Sequence, residues 1–275
     1  MISQRICLAA LALALAAQNA NAASVALNPS KDNTLIQATN PAAQLSNGLG
    51  DIFVGRTAQD GSGQTTATIS IRRGLVAFDV GSIPAGATIT KASLTMRDVM
   101  GLNGDPVVEL HTASQDWGEG SSFQNGGMGA AAQNNDATWL FTFYNFANPS
   151  ASTTWTTPGG SFSNTVSATA VVSDDLGGGQ LFTWTSAQMA ADVQGWLANP
   201  STNFGWLLKH TNESIGQTAK RFNSGESTLA ANVPPVLTIT YAVPEPSSLV
   251  LCAMATVGLV ASRVVGRRRK LFRAA

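Results

Sequence analysis

Short runs in which every second residue is apolar, separated by Gly, Ser, Thr and Asn, occupy the middle of this chain and restrict it to β structure. Residues 87–97 place Ala92, Leu94 and Met96 on one face of an extended segment, and residues 236–241 do the same with Leu237, Ile239 and Tyr241. Further strands are expected at 34–38, 51–54, 74–78, 107–111, 181–185, 206–209 and 219–222. Period-two patterning with turn residues between strands predicts an all-β fold: an antiparallel sandwich, jelly-roll-like, with one dry face and one wet face per sheet. Phe78, Leu75, Leu94 and Leu237 are core candidates, and burying each contributes about 1.5–3 kcal/mol.

One segment follows a different period. Met189, Val193, Trp196 and Leu197 fall at i, i+4, i+7 and i+8, which predicts a short helix over 186–199 packed across the end of the sandwich. Thr185 or Ser186 supplies its cap, and Pro200 prevents continuation. Residues 118–129 and 145–165 are rich in Gly, Asn, Ser and Thr and are expected to be long surface loops.

Both cysteines lie near the ends, at Cys7 and Cys252, so the β body has no disulfide and no thiol chemistry. A segment of about 220 residues is large enough to be held by its core alone. The whole chain balances 16 Lys plus Arg against 16 Asp plus Glu, but residues 23–242 hold 9 against 15, a net of −6. That surplus argues against a nucleic-acid partner, since phosphate binding needs an excess of cations.

The basic residues missing from the body sit at the ends. Arg5 precedes an apolar run from Ile6 to Ala17, too short to span a bilayer, and Ala20-Asn21-Ala22 is an A-x-A cleavage pattern. Residues 1–22 therefore read as a signal peptide, with the mature chain beginning near Ala23; an uncleaved anchor is the alternative. At the other end Pro244-Glu245-Pro246 interrupts regular structure, because each proline fixes φ and withholds an N–H. Residues 249–265 are apolar apart from small polar residues and Arg263, and stand at the short limit for a membrane-spanning helix. Arg267, Arg268, Arg269 and Lys270 follow, which places the extreme C-terminus inside and the body outside. In this order, the Pro-Glu-Pro motif, apolar helix and arginine cluster of residues 243–275 resemble the PEP-CTERM sorting signal of Gram-negative bacteria. The resemblance implies an exosortase-type processing enzyme as a partner, contact with the membrane through the C-terminal helix, and display at the cell envelope or surface. A plain single-pass anchor is the other reading.

Between these ends, residues 23–242 are expected to form one ectodomain. Asp32-Asn33-Thr34-Leu35-Ile36 opens it; the run from Arg72 through Phe78-Asp79-Val80, Ile83-Pro84-Ala85-Gly86-Ala87-Thr88-Ile89 forms its centre. Asp192 to Leu197, Asn203 to Leu208, Lys220 to Glu226 and Pro234 to Leu237 follow, with Asp116-Trp117-Gly118-Glu119-Gly120 and Asp136-Ala137-Thr138-Trp139 between. These blocks resemble the DNRLRE-domain family, which is grouped with carbohydrate-binding module family 96. Gly225 departs from the family, which commonly has a basic residue there. The resemblance implies a β-sandwich and a non-catalytic module that binds polysaccharide or extracellular matrix.

Six tryptophans are the natural candidates for such binding, since sugars stack their C–H faces on aromatic rings. Trp196 and Trp206 lie in periodic elements and read as core, and Trp184 is open. Trp117, Trp139 and Trp155 lie in predicted loops, where they either form a ligand platform or plug the end of the sandwich; Lys220 and Arg221 are the basic residues assigned to the same ligand. No cofactor is expected. Asp32, Asp51, Asp116, Glu119 and Asp136 are hard oxygen donors near turns, which suit Ca2+ if they bind a metal and are otherwise solvated acidic loops; Asp32 and Asp51 are the pair singled out. His111 and His210 have no second histidine at ligand spacing and read as strand residues. Asp79 reads as a turn organiser before Ser82-Ile83-Pro84. Arg72 and Arg73 point to opposite faces, and the inner one needs a carboxylate such as Asp79, Asp98 or Glu226. Glu109, Asp116 and Glu119 could be arranged as a glycosidase pair, but the chain has no Gly-x-Ser-x-Gly elbow and no His-Glu-x-x-His helix. Three functions follow from this reading: a non-catalytic polysaccharide-binding module, a structural or adhesive surface protein that recognises no sugar, and a carbohydrate-active hydrolase or lyase.

Overall fold

The computed structural model describes residues 21–40, 42–59, 65–101, 104–173, 179–227 and 233–243. The leader up to residue 20, Pro244, Glu245, Pro246, the apolar stretch 249–265 and Arg267, Arg268 and Arg269 lie outside the described residues. Among the described residues no helix is long and apolar enough to cross a membrane. Residues Ser24–Tyr241 form one compact unit.

The chain is mostly antiparallel β, with one α-helix among the described residues. Its strands are β1 (Asn21–Leu27), β2 (Lys31–Ile36), β3 (Leu45–Ser46), β4 (Ile52–Gln59), β5 (Thr65–Ala77), β6 (Thr88–Gly101), β7 (Val107–Ala113), β8 (Ala130–Ala131) and β9 (Phe141–Phe143). They continue with β10 (Thr153–Thr154), β11 (Phe162–Val171), β12 (Leu181–Thr185), β13 (Trp206–His210), β14 (Lys220–Phe222) and β15 (Val236–Val243). Eleven of them form one sheet in the order β1-β15-β6-β14-β4-β5-β13-β7-β11, with β12 added against β6 and β2 against β5. That path curls back on itself, since β11 near one end packs against β12 on β6. The result is sandwich-like. One layer is built around β5 and β7 and the other around β6, with β4 and β14 carrying the hydrogen bonds between them.

The predicted alternation on β6 is realised: Ala92, Leu94 and Met96 are fully buried, as are Leu237 and Ile239 on β15. The four core candidates Leu75, Phe78, Leu94 and Leu237 are all buried. β5 is longer than the apolar pattern at 74–78, because β4 pairs with its polar half through Gly55↔Arg72, Arg56↔Ile71 and Thr57↔Ser70. There the backbone ladder extends the strand through polar residues, Ser70 and Arg72, that are themselves buried and so carry no apolar alternation. β11 is a correction to the predicted loop at 145–165. Its pairing with β7 shifts register between Phe162 and Val166 and again between Val166 and Ala168, and each shift breaks the period-two pattern by which a strand is recognised.

The helix α1 (Ala187–Ala198) sits where expected. The Ser186 side chain accepts from the Met189 N–H at 3.0 Å, and its hydroxyl donates to the Ser167 carbonyl of β11. Met189, Ala190, Val193 and Trp196 form the buried face, and the Trp196 ring lies 4.4 Å from that of Trp206 on β13. Ser186→Ala is expected to lower stability by about 1 kcal/mol, read as a shifted urea midpoint at unchanged slope.

Candidate metal centre

The tryptophans settle into the interior. Trp117 follows β7 and is 0% exposed; its indole N–H donates to the Phe204 carbonyl at 2.8 Å, and it packs with Leu35, Leu75 and Leu207. Trp155 is 4% exposed and donates to the Thr138 carbonyl at 2.9 Å. Trp184, Trp196 and Trp206 are buried as well; Trp184 donates to the Val108 carbonyl and Trp206 to the Asp192 carboxylate. The predicted platform of Trp117, Trp139 and Trp155 is therefore not assembled at the surface. Loop composition suggested exposure, but once the single N–H of an indole finds an acceptor, the large apolar ring gains by burial. Only Trp139 stays half-buried, with the Arg73 guanidinium 5.0 Å from its ring centroid.

The basic residues assigned to the ligand are also engaged. Lys220 on β14 is fully buried, with Nζ 3.5 Å from the Ser173 carbonyl. Arg221 donates to Asp51 at 2.5 Å and lies 5.8 Å from the Phe53 ring. This pairing takes Asp51 out of the predicted metal pair: its other oxygen accepts from the Ser227 hydroxyl at 3.1 Å, so its charge is already compensated.

Asp32 has different neighbours. It lies on β2, fully buried, and shares a site with Glu119 from the loop after β7 and Glu226 from the turn after β14. One carboxylate oxygen from each lies within 4.8 Å of the others. The local backbone sets this up. The Asp32 N–H donates to Glu119 Oε1 at 2.8 Å, the Asn33 side-chain amide to the Glu119 carbonyl at 2.7 Å, and the Gly225 N–H to Asp32 Oδ2 at 2.7 Å. A Cβ on Gly225 would stand 3.2 Å from that oxygen, so glycine permits the turn to close on Asp32. The loop carrying Glu119 is itself pinned by Asp136, whose carboxylate accepts from the N–H groups of Ser121, Ser122 and Gln133. Gly120, at φ +75°, sits against that carboxylate.

After those bonds, Asp32 Oδ1 and Glu226 Oε2 are both buried without a partner. Among the described residues no lysine or arginine pairs with any of the three acids: Lys31, the nearest in sequence, is held by Asp116 and the Trp117 carbonyl, each at 2.6 Å. Burial pushes the Asp32 carboxyl well above the usual carboxylate range, with the Glu226 charge adding to it; burial raises Glu119 as well, against the Asp32 N–H and the Lys31 charge, which pull it down. Burial also raises Asp136, against its backbone donors.

The other candidates do separate work. Glu109 would be raised by burial, but the Lys209 ammonium at 2.7 Å and the His111 ring at 3.1 Å hold it below the usual range. His111 also meets the Ser163 carbonyl of β11, while His210 accepts from the Asn212 N–H and is lowered by burial. Asp79 organises its turn through the Gly81 N–H, as expected. Arg72 is the inner arginine, donating to the Gly127 carbonyl at 2.6 Å. Arg73, the outer arginine of this strand, pairs with Glu213, a carboxylate not among those expected.

Glu226 belongs to no sequence motif for metal binding, and Glu119 and Glu226 stand 87 and 194 residues after Asp32 in the chain. A scan against protein-family models and a search of curated proteins return no match to this chain.

Proposed function

We propose that this chain is an exported, surface-associated, non-catalytic module, jelly-roll-like in topology, that serves as a structural or adhesive component of the cell exterior. The observation that carries the reading is the burial of Trp117, Trp155, Trp184, Trp196 and Trp206, which places in the core the aromatic surface that sugar stacking would use. Export is supported by the leader, and processing by an exosortase-type enzyme by Pro244-Glu245-Pro246, the apolar stretch 249–265 and the arginines after it. Kinship with the DNRLRE-domain family is supported by the residue blocks that resemble it. The non-catalytic reading is supported by how the candidate acids are engaged: Glu109 faces Lys209, Asp116 faces Lys31, and Glu119 accepts from the backbone N–H of the fully buried Asp32.

Polysaccharide or matrix binding is the second reading, favoured by Phe123 and Phe146, which are 57% and 58% exposed. A glycan array probed with the purified protein, with and without chelator, separates the two. The structural reading expects no retained glycan in either condition. Retention of a defined glycan that is lost in Phe123→Ala or Phe146→Ala would replace it with the second.

A further inference from the structure

We propose that Asp32, Glu119 and Glu226 bind one Ca2+ ion, which ties the first strands, the central loop and the last turn of the body together. Three carboxylates converge where Gly225 has no side chain to supply a counter-ion and where Lys31 and Arg221 are committed to Asp116 and Asp51. Two of the three carboxylates, those of Asp32 and Glu226, each hold an oxygen, Oδ1 and Oε2, that is shut off from water and accepts no hydrogen bond. A buried polar atom without a partner is costly, and several anionic ones aimed at a common point are more so, unless a cation stands between them.

The donor set identifies the cation. All ligands are carboxylate oxygens, which excludes a preference for the softer zinc. Ca2+ binds oxygens at about 2.3–2.6 Å, so ligands on opposite sides of it lie about 5 Å apart. The spread of 4.8 Å or less found here fits around one such ion. Mg2+ demands a tighter octahedron and gives up its water reluctantly. Three protein oxygens leave the remaining positions of a six- to eight-coordinate ion to water, which points to the weak range of extracellular modules, a Kd of about 10⁻⁴–10⁻³ M.

The ion acts on stability through linkage, because its ligands are assembled only when β2, the loop after β7 and the turn after β14 are all in place. The test is calorimetric titration and thermal melting of the metal-stripped protein at constant ionic strength, with CaCl2 or MgCl2. Ca2+ is expected to bind once per chain and to raise Tm by about 3–6 °C at tenfold excess over its Kd, with a smaller rise for Mg2+. Glu226→Gln and Glu119→Gln are expected to abolish the rise while melting at or above the parent in chelator, because each removes a repelling charge. No heat and no Tm shift in the parent would overturn the proposal. So would an equal response to Mg2+, or variants that are destabilised equally with and without Ca2+, as acids with a purely structural role would be. These readouts are independent of glycan or matrix binding, so the outcome stands apart from that of the array.

Discussion

Trp117→Ala lowers the unfolding free energy by about 3–5 kcal/mol, the range for emptying an aromatic from a core. The ring has no exposed surface, packs on Leu35, Leu75 and Leu207, and carries the Lys31 ammonium 4.4 Å from its centroid. Its loss leaves a cavity, strands the Phe204 carbonyl and removes a surface that steers Lys31 towards Asp116. Trp117→Phe retains most of the ring and costs less, mainly the unmet carbonyl at about 1–3 kcal/mol. Urea unfolding followed by the other tryptophans measures both. A surface platform residue would instead change stability by about 0.5 kcal/mol or less. A cost that small for Trp117→Ala would restore the platform and undo the argument from burial.

Arg73→Met is the second large effect. Arg73 forks onto Glu213 at 2.8 and 2.7 Å and donates its remaining arm to the Gly159 carbonyl at 2.7 Å, with side chains only 12% and 16% exposed. Removing one member leaves a shielded charge alone, a loss of about 3 kcal/mol, while Arg73→Met combined with Glu213→Met recovers most of it. A double-mutant cycle reads the coupling directly. Coupling that vanishes would mean that water, not Arg73, satisfies Glu213. Because the pair is mostly enclosed, the cost is also expected to persist in high salt, unlike that of an exposed pair.

How far the sequence reveals this molecule depends on whether a residue's role is local. β6, β15 and α1 were legible because side-chain period and capping are properties of neighbours in sequence: Leu94 and Met96, or Ser186 and Met189, are enough. β11 was hidden because two register shifts scramble its alternation. The fate of Trp117 and Trp155 was hidden for a different reason. Their flanking Gly, Asp and Thr describe a loop correctly, but whether the loop folds inward depends on distant carbonyls at Phe204 and Thr138. The acids show the same limit. Asp32 and Asp51 look equivalent in sequence, both beside turns, and differ only because Arg221 reaches one and Glu226 the other. The sole local hint was that Glu119 and Glu226 each follow a glycine, where a backbone can approach closely.

The neighbourhood of β1 and β15 bears on the order of events during synthesis. Ser24 bonds to the Ile239 carbonyl across a separation of 215 residues, so the first strand of the sheet waits for the last. Closing so long a loop is slow and cannot begin until the chain as far as Ile239 has left the ribosome. Until then a growing chain lacks the partner that completes its sheet.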